Sequence, residues 1–165
     1  MHLVLPYLGD YLEKHLEEQT KRAKPTQIDL TSRTSFPVDS QAGRFLVSCD
    51  GVEPYLDGHR VTLEIGNPFN ATFSGFELAI RFGRRPPTTT FDPSTATVAT
   101  FESWRNQQKA WENSLRLQEV SFLDELPPGS WKRVEAILSP SKPDEVGYVD
   151  LLIKTDIVTL KKYSP

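Results

Sequence analysis

Apolar residues recur along this chain first at helical spacing and then at strand spacing. Over residues 7–23, Leu8, Leu12 and Leu16 return every four positions, with Tyr11 and His15 beside them, the stripe of an amphipathic helix. Glu13, Glu17 and Glu18 precede Lys21, Arg22 and Lys24, a charge order that suits the helix dipole, and Pro25 is placed to stop the helix. A helix this short is marginal alone in water, so it needs the main domain, a partner or a longer helix to pack on. Residues 25–43 are rich in Ser, Thr, Pro, Asp and Gly and read as a linker, with room for one short edge strand over residues 26–31.

From Arg44 onward the period becomes two. Phe45, Val47 and Cys49 alternate with Leu46 and Ser48. Val61, Leu63 and Ile65 alternate with Arg60, Thr62 and Glu64, and Phe76, Leu78, Ile80 and Phe82 with Glu77, Ala79 and Arg81. Each is a half-buried strand. Asp57-Gly58 is a type I′ hairpin signal between the first two, and Gly66-Asn67-Pro68 ends the second. Residues 84–100 follow neither period. Phe101, Trp104, Gln108, Trp111 and Leu115 then repeat at alternating steps of three and four, which predicts a helix over residues 101–113. Strand spacing resumes over residues 115–123, with a break near Glu119 where the alternation shifts phase. Leu126-Pro127-Pro128-Gly129 is a turn. Two further strands follow, with Val134, Ala136 and Leu138 on one face and Val149, Leu151 and Ile153 on another, and residues 157–160 supply a short last one.

Short strands separated by turns, with no regular helix alternation, predict a mainly β protein. The expected form is an immunoglobulin-like antiparallel β-sandwich over residues 44–160, with a loop and helix insertion at 84–114. An N-terminal helix (1–24) and a linker (25–43) precede it. The length of 165 residues suits one domain and 38 % hydrophobic content suffices for its core. A net charge of −3 gives no basic footprint for nucleic acid and no attraction to anionic lipid. No run approaches the ~20 apolar residues of a spanning helix.

One cysteine, Cys49, leaves no intramolecular disulfide and no multi-cysteine zinc site. Leu46-Val47-Ser48-Cys49 spells a bacterial lipobox. The preceding residues, however, include Asp39, Ser40, Gln41, Gly43 and Arg44, where a signal peptide needs an apolar stretch. Cys49 therefore reads as a small buried residue of a strand. The three histidines, His2, His15 and His59, lie on unlike elements, so no metal site and no cofactor are expected.

The acid pairs Asp124/Glu125 and Asp144/Glu145 sit in turns, where carboxylates are ordinarily solvated. No phosphate loop, zincin helix, EF-hand or nucleophile elbow is present, and no enzyme is expected. Asn70-Ala71-Thr72 matches a glycosylation acceptor in a surface turn. Arg81, Arg84 and Arg85 form a small basic cluster. The aromatic stripe of the insertion has two readings, a partner-binding face or a helix packed over one end of a sheet. The candidate contact residues are Arg84, Arg85, Phe101, Trp104 and Trp111. The expected function is a non-catalytic module that binds or spaces other proteins. One alternative is a small-ligand carrier or hydrolase with a pocket under the insertion, lined by Asp124, Glu125 or His59. Another is a stalk that oligomerises through the N-terminal helix.

The run from Tyr55 to Pro68 (YLDGHRVTLEIGNP) and the run from Phe73 to Gly83 (FSGFELAIRFG), followed by Leu126-Pro127-Pro128-Gly129-Ser130-Trp131 and Glu145-Val146-Gly147-Tyr148-Val149, resemble the C-terminal domain of YajI-type bacterial lipoproteins, a family of unknown function. More loosely, the order is similar to FxLYD-like and late-embryogenesis-abundant sandwich domains. The resemblance implies a β-sandwich in the bacterial envelope, periplasmic or anchored through an upstream lipidated segment and a helical stalk, of which the Leu8/Leu12/Leu16 helix would be the end. It implies no catalytic residues.

Overall fold

The structure, a computed structural model, describes residues 24–88, 90–155 and 158–160. The N-terminal helix expected over residues 7–23 lies outside these. The strands are β1 (Thr26–Gln27), β2 (Phe36–Ser40), β3 (Gly43–Tyr55), β4 (Gly58–Gly66), β5 (Ala71–Gly83), β6 (Arg116–Leu126), β7 (Trp131–Leu138), β8 (Tyr148–Thr155) and β9 (Val158–Leu160). One helix, α1 (Val98–Ser114), lies between β5 and β6, and a 3-10 turn (Pro143–Val146) precedes β8.

The period-two residues do turn inward. Val61, Leu63 and Ile65 of β4, Val134, Ala136 and Leu138 of β7, and Val149, Leu151 and Ile153 of β8 are all buried. Phe45, Phe69 and Phe73 pack edge to face, with ring centroids 4.9–5.7 Å apart, an arrangement favoured by the ring quadrupoles. Burying such side chains contributes roughly 1.5–3 kcal/mol each, which is what holds strands of this length together.

The expected two-sheet, immunoglobulin-like sandwich is not what forms. All nine strands join one sheet in the order β6-β5-β8-β2-β3-β4-β7, with β1 on β8 and β9 on β5. Two antiparallel blocks, β6-β5-β8 and β2-β3-β4-β7, meet at a single parallel rung, Ser40 beside Ile153. The sheet then curls until β6 and β7 approach, giving a nearly closed, barrel-like shape. Asn67 closes it. Its side-chain amide donates to the carbonyls of Ala71 (2.7 Å) and Leu126 (2.9 Å), while its side-chain oxygen accepts from the Phe69 N–H at 2.9 Å. Lys132 of β7 pairs with Asp124 of β6 beside it. Period-two spacing cannot distinguish one curled sheet from two stacked ones, because both turn alternate residues inward.

Other differences are local. The segment 25–43, read as a linker with room for one edge strand over residues 26–31, supplies that strand as β1 and an unexpected second one, β2, where Val38 is fully buried. Phe36, Val38 and Ser40 alternate across β2, a period masked by the polar composition around them. The break expected near Glu119 falls instead between Phe122 and Glu125, opposite a shift at Ser74–Phe76 where Gly75 takes φ 82°. The β3–β4 hairpin pairs Tyr55 with Gly58, so its loop is Leu56-Asp57 and not Asp57-Gly58. Leu56 adopts φ 50°. Gly58 is needed for a different reason: a Cβ there would lie 2.3 Å from the Leu138 carbonyl oxygen.

Candidate functional site

The insertion leaves β5 at Gly83 and returns at Leu115. At its base, the Trp111 indole N–H donates to the Arg84 carbonyl at 2.8 Å, and the ring stands edge-on to Tyr148 at 4.9 Å. The Tyr148 hydroxyl donates to Asp150 at 3.0 Å. Arg81 grips the same carboxylate with its Nε at 3.0 Å and an Nη at 2.5 Å. Asp150 lies between the core residues Val149 and Leu151, on the outward phase of β8, yet it is only 1 % exposed. The Arg81 and Tyr148 side chains cover it and satisfy it. Hydrogen bonding to Asp150 pushes the Arg81 guanidinium up. Burial, and then the bond to Asp150, pushes the Tyr148 phenol above its usual range.

Further out, α1 begins at Val98 and is capped by Thr97, whose hydroxyl accepts from the Thr100 N–H while the Thr100 hydroxyl accepts from the Thr97 N–H. This reciprocal cap fixes the helix start, three residues before the first residue of the stripe. Phe91, from the preceding loop, packs on Phe101 (5.4 Å) and Trp104 (5.3 Å). These rings contact one another and leave the barrel core untouched. No residue of α1 is buried, and Phe101 is 40 % exposed. A cleft of about 310 Å³ opens here, lined by Phe91, Asp92, Thr95, Thr100 and Trp104 among others. The Asp92 carboxyl is held low by the side-chain and backbone bonds from Ser94.

The five candidate contact residues therefore divide. Phe101 and Trp104 come together over Phe91. Trp111 and Arg84 form the anchoring base, and the exposed Arg84 guanidinium pairs with Asp144 at 2.9 Å. Arg85 is exposed and lies against Gly147, at the edge of a second groove shared with Asp29 and Val146. Arg81, read with this cluster, is committed to Asp150. Sequence patterns missed Phe91, alone in a threonine-rich stretch, and Tyr148 and Asp150, whose roles depend on strand pairing.

The residues proposed for a pocket under the insertion do not converge. Asp124 pairs with Lys132 near the start of β7, and Glu125 is exposed beside it. His59 pairs with Leu138 at the other end of β7, six residues and about 20 Å of strand away. Its Nδ1 lies 2.7 Å from the Ser141 hydroxyl. That hydroxyl spends its only proton on the Leu138 carbonyl at 2.6 Å. His59 Nδ1 must then be the donor, the reverse of a base activating a nucleophile. A cleft of about 580 Å³ beside Ser141 is lined by Asp57, Arg84, Arg116 and Glu145, and Glu145 is taken by Arg116 at 2.8 Å. Among the described residues, no three His, Cys, Asp or Glu side chains gather as a metal set. No described helix is long and apolar enough to cross a membrane. Cys49 is 4 % exposed in β3, and burial raises its thiol pKa, as the strand reading of its segment requires.

No family model matches the chain, and no curated protein matches it in sequence. Solved structures do share its fold. The trimeric lipoprotein SadB of Salmonella enterica superposes with a TM-score of 0.64 at 16 % identity, covering 96 % of this chain and 76 % of that one. The solution structure of the uncharacterised lipoprotein yajI from Escherichia coli gives 0.57 at 16 % identity, covering 88 % and 76 %. The YajI-type resemblance read from the two strand runs is thus met in the fold.

Proposed function

We propose that this chain is a non-catalytic module of a bacterial envelope lipoprotein, which holds another protein through its 84–114 insertion. One observation carries the reading. A helix of 17 residues contributes nothing to the core, yet it is capped, anchored at its base by Trp111, and carries an exposed aromatic group. A surface built at that cost in chain ordering and not used for packing suits binding. Exposed aromatics are the usual anchors of such contacts. The envelope location, membrane-anchored, is supported by the two lipoproteins that share the fold. The non-catalytic reading is supported by the scattered acids and the donor role of His59.

The test is site-specific photocrosslinking in cells, with the probe at Gln108 on α1 and, as control, at Glu135 on β7. A discrete adduct from Gln108 alone, lost in Trp104→Ala, is expected. Equal or absent adducts at both positions would end the interaction reading. Cell fractionation should place the chain with the envelope.

A second reading, self-assembly through the segment 1–24, is favoured by the trimeric state given for SadB. The mass of the chain in solution, with and without residues 1–24, decides it. A trimer that becomes a monomer on deletion supports the stalk, and an unchanged mass removes it.

A further inference from the structure

The cleft on α1 sets a carboxylate beside aromatic faces and holds no cation of its own. Phe91 and Trp104 supply the faces, and Asp92, next to Phe91 in the chain, supplies the carboxylate. The rest of the wall is small and neutral, chiefly Thr95, Thr100 and Ser103. Asp92 is exposed. Both bonds from Ser94 end on its Oδ1, at 2.9 and 2.6 Å, which fixes the carboxylate in place and leaves Oδ2 able to accept. Among the described residues, no Lys or Arg lines this cleft. The acids near the neck differ, since Asp144 holds Arg84, Glu145 holds Arg116 and Asp150 holds Arg81.

We propose that the partner held by the insertion places an arginine here, its guanidinium stacked on Trp104 and its N–H fork on Asp92. This rests on the partner-binding reading and adds the chemistry of what is bound. Arginine satisfies both halves of the cleft, because its plane lies on an aromatic face while its donors meet a carboxylate. Lysine matches the charge but has no plane to stack. The Phe91 and Trp104 rings touch, with centroids 5.3 Å and planes 35° apart. They form an open platform, not a cage that would surround a compact ammonium. An acidic or phosphorylated ligand would meet the Asp92 charge with nothing in the cleft to offset it. An aliphatic one would leave the polar wall unpaired. At about 310 Å³ the cleft admits one long side chain and is too small for a helix.

The test uses the full chain and three peptides, acetyl-Gly-Arg-Gly-amide and its citrulline and lysine counterparts. Citrulline keeps the plane and loses the charge. Binding is read from the NMR shifts of the Thr95 and Thr100 amides. The arginine peptide should shift them saturably and bind at least about five-fold tighter than the citrulline peptide, the combined effect of an exposed ion pair and a cation on a ring. The lysine peptide should bind more weakly than the arginine peptide. Asp92→Asn, which keeps an oxygen for the Ser94 bonds, should weaken the arginine peptide about three-fold and leave the citrulline peptide unchanged. Trp104→Ala should weaken both. Equal binding of the arginine and citrulline peptides, an arginine peptide indifferent to Asp92→Asn, or no saturable shift overturns the proposal. In cells, the Gln108 adduct should fall in Asp92→Asn as well as in Trp104→Ala. An adduct lost in Trp104→Ala but undiminished in Asp92→Asn overturns the arginine and leaves the partner-binding reading standing. The absence of any adduct ends both.

Discussion

The indole N–H of Trp111 donates to the Arg84 carbonyl across the neck of the insertion, tying the last turns of α1 to the residue where the chain leaves β5. Trp111 and Trp104, two helical turns apart on one stripe, consequently have different jobs. Trp111→Ala removes a hydrogen bond of about 1 kcal/mol and a ring pair of similar size. It should raise amide exchange across residues 98–114 while the barrel amides stay protected. Trp104→Ala should leave exchange and melting temperature nearly unchanged.

Asp150 is buried and depends on Arg81. Arg81→Ala leaves the carboxylate with the Tyr148 hydroxyl alone. It should cost about 3 kcal/mol, the lower end for a broken buried pair, because the Arg81 side chain is 41 % exposed. Urea unfolding measures this as a lower midpoint at constant slope. The double change Arg81→Met with Asp150→Leu should recover most of the loss, since an apolar pair leaves no stranded charge.

Tyr148 gives the pH dependence its sign. Its folded pKa is raised above the ordinary value, so on alkalinisation the unfolded chain releases this proton first. The contribution is fully present below about pH 10 and is lost as pH rises through the folded value. Urea midpoints should therefore keep this contribution from pH 8 to about 10 and fall above it, and Tyr148→Phe should flatten that fall.

The β3–β4 hairpin carries opposite predictions at neighbouring positions. Leu56 holds a left-handed conformation that costs a side-chain-bearing residue about 1 kcal/mol, and it is 88 % exposed. Leu56→Gly should stabilise by up to about 1 kcal/mol. Gly58→Ala drives a methyl into the Leu138 carbonyl and should destabilise by at least about 2 kcal/mol. Gly51→Ala, with nothing within 4 Å of the added carbon, should be neutral. Thermal melts of the three variants check the order.

What could be read from the sequence follows from the range of the interactions involved. Val61, Leu63 and Ile65, or Val149, Leu151 and Ile153, announce themselves because alternation is local. Trp104 and Trp111 were equally visible by helical spacing. The joining of two blocks into one sheet rests on one rung at Ser40 and on the Asn67 amide, and neither leaves a periodic trace. Asp150 falls on the outward phase of β8, and alternation alone says nothing of what covers it. Only the pairing of β5 with β8, which sets Arg81 opposite it, reveals it as buried. Asp57-Gly58 located the hairpin but misplaced the bend by one residue, because Gly58 was needed for a close approach and not for the turn.

Phe82 and Arg116 are cross-strand neighbours, so the ladder between β5 and β6 is already complete before the helix is counted. The excursion from Arg84 to Ser114 is therefore a head mounted on a finished shaft. A two-residue Asn-Gly link could replace it without loosening the barrel, and a head of another shape could be mounted there. Selection could then exchange the head while the part that bears it stays fixed.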